Sequence, residues 1–131
     1  MTGKTIVVVE DEPHIRHIIA RKLQGAGYTV HSACDGAEGL ELVKELQPSL
    51  LITDLKMPYV DGLKVCAACR EDPQTRGIPI IMVTGSVITT AQIWPKLESL
   101  GNMLCISKPF SPRELLKKVR ELVEPGAPKA S

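Results

Sequence analysis

The chain is 131 residues long, 44% apolar and 24% charged, with a net charge of +1. That is the size of one ordinary domain, apolar enough to build its own core and not disordered. With no long basic run there is no footprint for nucleic acid; the apolar stretches stop far short of the roughly 20 residues a membrane helix needs, and without a signal-peptide pattern a cytoplasmic protein is expected.

In chain order, Thr5 to Val9 is a nearly unbroken β-branched run, as expected of a parallel strand covered on both faces. Ile15, Ile18, Ile19 and Leu23 follow at helical spacing. Tyr28 to Ala33 is more mixed and suits an edge strand, and Leu40, Val43 and Leu46 mark a second helix. Leu50 to Thr53 reads as another central strand, then Leu63, Cys66 and Ala67 as a helical face, then Ile80 to Val83 as a central strand. From Gly85 to Leu100, Ile93, Trp94, Leu97 and Leu100 form a helical face that Pro95 interrupts, so the fourth helix is expected to start late or to kink. Met103 to Ser107 suits the other edge strand. The last helix carries Leu115, Leu116, Val119, Leu122 and Val123 on one stripe, with Ser111 as N-cap, Pro112 at N1 and Glu114 at N3.

Strand and helix thus alternate five times, which predicts an α/β fold: a doubly wound, five-stranded parallel sheet with right-handed crossovers. Residues 1–124 are read as the domain and 125–131, rich in proline and small residues, as a flexible tail or linker stub. The cysteines Cys34, Cys66, Cys69 and Cys105 are expected to be reduced. Cys66 and Cys69 have redox-motif spacing but fall inside a helical pattern instead of opening one, and no second close pair completes a zinc site.

Ligands of an open α/β sheet bind beyond the carboxyl ends of the strands, where the strand order reverses. Those ends carry Glu10-Asp11-Glu12, Asp54, Thr84 and Lys108-Pro109. Taken singly, most have a plain explanation. Asp11 or Glu12 would cap the helix that Pro13 opens, Thr84 suits a strand, and Lys108 suits a solvated loop. Asp54 is harder to dismiss, because a carboxylate directly after Leu51-Ile52-Thr53 pays a desolvation cost unless something compensates it. Carboxylates crowded at one edge repel one another unless a cation sits among them. Mg2+ is the natural candidate, since it takes hard oxygen ligands and needs only one or two carboxylates plus a phosphate oxygen. With Lys108 as a second positive charge, such a carboxylate becomes a nucleophile toward phosphorus, and Thr84 would donate a hydrogen bond to a phosphoryl oxygen.

Val7-Val8-Val9-Glu10-Asp11-Glu12-Pro13, Thr53-Asp54-Leu55-Lys56-Met57-Pro58 with Asp61-Gly62, Val83-Thr84-Gly85 and Ser107-Lys108-Pro109-Phe110 resemble the signature segments of bacterial response-regulator receivers. The resemblance runs from Lys4 to Val123. It implies a flavodoxin-like fold with strand order 2-1-3-4-5, and it implies roles. Asp54 would be the phosphorylated aspartate, Asp11 a metal-binding acid, and Glu10 its helper acting directly or through water. The Lys56 carbonyl would be a further Mg2+ ligand, Thr84 the mobile hydroxyl, and Lys108 the phosphate-pairing lysine with a cis bond to Pro109. Phosphate would come from a sensor histidine kinase, a histidine phosphotransfer protein or a small donor. The readout would go to a downstream protein or a fused output domain, with no direct nucleic-acid or membrane contact and no turnover of external substrates.

Two features depart from the family's pattern. Cys105 stands three residues before the lysine, where Tyr or Phe is usual, which puts the customary relay from Thr84 in doubt. The segment between Thr84 and Lys108 is slightly long and carries Trp94-Pro95; Trp94 is either an exposed partner anchor or a core residue. His14, His17 and His31 are read as solvated or structural. The rival to phospho-acceptance is a receiver-like interaction module that switches weakly or not at all. An aspartate-nucleophile phosphatase is disfavoured because Lys56 stands where its general acid belongs, and a dinucleotide site because Glu10-Asp11-Glu12 would repel phosphate.

Overall fold

A computed structural model describes residues 4–56, 61–85 and 87–124. The expected tail at 125–131 and Met57-Pro58 of the second signature segment lie outside them. The elements are β1 (Thr5–Val9), α1 (Pro13–Gly25), β2 (Thr29–Ala33), α2 (Gly36–Leu46), β3 (Leu50–Asp54), α3 (Gly62–Glu71), β4 (Ile80–Thr84), α4 (Val87–Leu100), β5 (Met103–Ser107) and α5 (Pro112–Val123). The strands pair in parallel in the order β2-β1-β3-β4-β5, as expected.

Strand periodicity sorts the core into two layers. Ile6 and Val8 of β1, with Leu50, Ile52, Ile81 and Val83, pack against Ile19 and Leu23 of α1 and Leu115 and Val119 of α5. Val7, Val9, Leu51, Ile80 and Met82 point the other way, against Val43 of α2, Val65 and Cys66 of α3 and Leu97 of α4. A strand with both faces covered cannot afford polar alternation, which is why β3 and β4 are buried throughout while β2 is largely exposed.

Three expectations need correction. The fourth helix is not late: it begins at Val87 and holds Pro95 in its interior. Proline there forfeits one backbone hydrogen bond, and Ile93, Trp94 and Leu97 offset the loss by packing on the α2/α3 side of the core. Ile18 does not belong to the inner face of α1; it is 38% exposed, since Ile15, Ile19 and Leu23 already fill the contact with the sheet. The buried side of α3 is Val65, Cys66 and Cys69, with Leu63 only partly buried against it. Burial pushes the Cys66 thiol up to about 12, so it carries no reactive thiolate near neutrality. Trp94 is neither fully buried nor fully exposed; it is half-buried against the same core layer as Cys105.

The caps follow the sequence. Ser111 Oγ accepts from Glu114 N at 2.9 Å, Asp35 Oδ1 from Glu38 N at 2.8 Å, and Asp61 Oδ1 from Lys64 N at 2.9 Å. At the far edge of the sheet Tyr28 donates to Glu124 at 2.8 Å and Lys4 Nζ donates to the Val123 carbonyl, which pins the end of α5. Among the described residues no helix is long and apolar enough to cross a membrane.

Candidate functional site

After β1 the chain turns one way, to β2, and after β2 it returns to the other side, to β3. The carboxyl ends of β1 and β3 therefore border the crevice that such a reversal leaves. The loops leaving the strands extend the ladder by one more rung: Glu10 N donates to Ala33 O at 3.1 Å, Leu55 N to Val83 O at 3.0 Å, and Lys108 N to Thr84 O at 2.7 Å. The backbones that carry Glu10, Asp54, Thr84 and Lys108 are thus as fixed as the sheet itself.

The structure brings these side chains together. Lys108 Nζ lies 3.0 Å from Glu10 Oε1 and 2.9 Å from Asp54 Oδ2. Carboxyl oxygens of Glu10, Asp11 and Asp54 all lie within 4.8 Å of one another. Asp54, Lys56, Thr84, Gly85 and Lys108 line a cleft of about 310 Å³. Glu10, Asp54 and Thr84 are buried, whereas Asp11 and Lys56 are exposed at the rim. The open choice between Asp11 and Glu12 as helix cap resolves: Glu12 accepts from His14 N at 3.1 Å and Ile15 N at 3.3 Å, which leaves Asp11 to the cleft. The Lys108-Pro109 peptide is cis. His14, His17 and His31 are all exposed and outside the cleft.

The charges are unevenly matched, with one ammonium facing three carboxylates. Burial raises the Glu10 carboxyl to about 7, against the opposing pull of its hydrogen bonds from Glu12 N and Lys108. Burial also pulls Lys108 down, but the hydrogen bonds to Asp54 and Glu10 outweigh it and the net shift is upward.

A measurable pH dependence follows from Glu10. Because the folded protein binds the proton more tightly than the unfolded chain, this group's contribution is complete below 4.5 and is lost as pH rises through about 7. Urea denaturation of metal-free protein is expected to show the unfolding free energy falling by about 3 kcal/mol across that window, and Glu10→Gln should remove the slope. A wild-type profile that is flat there would contradict the shift.

Sequence reasoning treated Glu10 as a helper to Asp11 and gave Gly62 no role beyond the motif. Both matter more than that. Glu10 shares the lysine with Asp54, and Gly62 N donates to Leu55 O at 2.8 Å, directly behind the site. The early signals for Glu10 were its place directly after four apolar strand residues and among the carboxylates at the strand ends.

Residues 6–120 match the family model described as the response regulator receiver domain. RpaA of Synechocystis, a DNA-binding dual master transcriptional regulator, is 38% identical over 90% of this chain and 48% of its own length. The DNA-binding response regulator MtrA of Mycolicibacterium smegmatis is 36% identical over 88% and 48%. The chain therefore spans about half the length of the curated relatives it matches. Among solved structures, Vibrio cholerae chemotaxis response regulator CheY4 superposes with a TM-score of 0.84 at 30% identity, covering 92% of this chain and 99% of that one. Thermotoga maritima TrrA, solved in complex with Mg2+ and BeF, superposes at 0.77 with 30% identity, covering 91% and 98%. The matched region runs from the first strand into the last helix, with the strand order of those neighbours, and so the chain belongs to the response regulator receiver domain family.

Proposed function

We propose that this domain is the phospho-accepting part of a two-component relay in the cytoplasm, with Asp54 as acceptor and Mg2+ as the metal the reaction requires. The observation that carries the reading is Lys108 Nζ bridging Glu10 and Asp54 at the floor of an open cleft, beside a third carboxylate. Three hard oxygen donors opposed by one ammonium fit a divalent cation, with Glu10, Asp11, Asp54 and the Lys56 carbonyl as its holders. Bound there, Mg2+ would neutralise charge on the transferred group.

The chain's own groups do the rest. A carboxylate oxygen of Asp54 attacks phosphorus; the new P–O bond forms as the donor's P–N or P–O bond breaks, and that bond's electron pair leaves with the donor. Lys108 already sits against the attacking carboxylate and meets the phosphoryl oxygens as they arrive. Thr84, at the cleft wall, donates its hydroxyl to one of them. The donor is a phosphohistidine of a sensor kinase or phosphotransfer protein, or a small acyl phosphate, and the product is read by a downstream protein or a fused output domain. Cys105 is half-buried against the core layer that includes Trp94, and it acts as filler in place of the usual aromatic switch.

Incubation with acetyl phosphate and Mg2+ followed by intact-mass measurement tests this. Wild type is expected to gain one phosphoryl group, and Asp54→Asn or added chelator to prevent the gain. An unmodified wild type would leave the domain as an interaction module without phosphorylation, and equal gain in the variant would remove Asp54 as the acceptor.

A further inference from the structure

We infer that Gly62 is a positioning residue for Asp54, holding the peptide that carries the acceptor carboxylate by direct backbone contact from the first turn of α3. The inference rests on Asp54 being the phosphoacceptor.

The peptide between Asp54 and Leu55 is gripped from several sides. Leu55 N donates to Val83 O at 3.0 Å, which extends β3 along β4. Thr53 Oγ1 donates to the Asp54 carbonyl at 3.0 Å. Gly62 N donates to Leu55 O at 2.8 Å, and the bare Cα of Gly62 faces the same peptide. A Cβ there would stand 2.9 Å from Leu55 Cα, 3.0 Å from the Asp54 carbonyl carbon, and closer still to the Asp54 carbonyl oxygen. All three are backbone atoms, so no rotamer change relieves the contact. Contrast Gly39, where the three atoms nearest an added Cβ all belong to the side chain of Val9.

Relief at position 62 requires either α3 or the Asp54 peptide to move by a large fraction of an ångström. Asp61 Oδ1 fastens the first turn of α3 through Lys64 N, while Val65, Cys66 and Cys69 anchor its body in the core. The peptide therefore shares the displacement. Because the carboxylate is two bonds from that backbone and is held at 2.9 Å by Lys108, a shift there misaims the nucleophile.

The test compares Gly62→Ala with Val123→Ala, a buried truncation at the opposite edge of the sheet, under conditions where both are folded. Acetyl phosphate labelling rates and the Asp54 carboxyl carbon resonance are read on each. Gly62→Ala is expected to label about 100-fold more slowly than Val123→Ala and to shift the Asp54 resonance; Val123→Ala should leave the resonance at its wild-type position. Should Gly62→Ala not fold, Thr53→Val probes the same peptide and is expected to label about fivefold more slowly with a shifted resonance. Equal labelling rates and an unmoved Asp54 resonance in the folded variant would overturn the inference. A wild type that takes no phosphoryl group defeats the functional reading instead, and the Asp54 resonance still decides whether Gly62 positions that carboxylate.

Discussion

Lys108→Ala is expected to slow phosphorylation of Asp54 by about 100- to 1000-fold, as measured by acetyl phosphate labelling at saturating Mg2+. Nζ is the single cation that the described residues place against both Glu10 and Asp54. Phosphoryl transfer spreads negative charge over the equatorial oxygens, and a preorganised ammonium stabilises that charge without having to reorient. The same change should also destabilise the metal-free fold. Removing one partner of a buried ion pair costs about 3 to 5 kcal/mol when the survivor stays charged. Here the cost should be nearer 2 kcal/mol, because Lys108 is 21% exposed and Glu10 can take up a proton. Urea denaturation above and below pH 7 checks the second effect: the deficit should shrink at the lower pH as Glu10 is neutralised. Labelling of Lys108→Ala at the wild-type rate would remove the lysine from the reaction.

Arg70→Ala is expected to lower the unfolding free energy by about 3 kcal/mol, with no loss of phosphorylation in the protein that remains folded. Arg70 stands in the last turn of α3, where a cation is ordinarily a solvated helix-end charge. In the fold its guanidinium is a hub. Nε donates to Leu100 O at 2.9 Å and Gly101 O at 3.3 Å, Nη1 to Ile78 O at 2.8 Å and Arg76 O at 3.0 Å, and Nη2 to Gly101 O at 2.8 Å and Asn102 O at 3.2 Å. One planar fork thus ties the end of α3, the approach to β4 and the turn from α4 to β5. Truncation strands the Leu100 and Ile78 carbonyls, which are partly buried, while water takes over the exposed ones; hence the effect is less than the sum of the six bonds. Arg70→Lys should recover little, because a single ammonium cannot reach three directions at once. Thermal and urea unfolding read this, and a change within experimental error would contradict the hub.

The order of elements was legible because each segment carries its own periodicity. Apolar runs of strand length, separated by stripes at helical spacing, admit little besides alternating strands and helices, and a sheet so built gathers Glu10, Asp54, Thr84 and Lys108 at one edge. The late start expected of the fourth helix failed because Pro95 is a local signal against helix, whereas the packing of Ile93, Trp94 and Leu97 that carries the helix through it is a tertiary one. Ile18 failed for a related reason: helical spacing tells which residues share a face but not how much of that face the sheet covers.

Within the site, residue types at strand ends showed which groups gather, since a parallel sheet puts all its carboxyl ends along one edge. Only the tertiary structure decided how they are held. That Glu10 shares Lys108 with Asp54, that Glu12 and not Asp11 caps α1, that Arg70 is a hub instead of a surface charge, and that Gly62 lies against the Asp54 peptide all depend on atoms from segments distant in the chain. Periodicity reports the environment of a face. Distances of an ångström or less, which set a carboxylate's charge and its aim, come from how separate elements close upon one another.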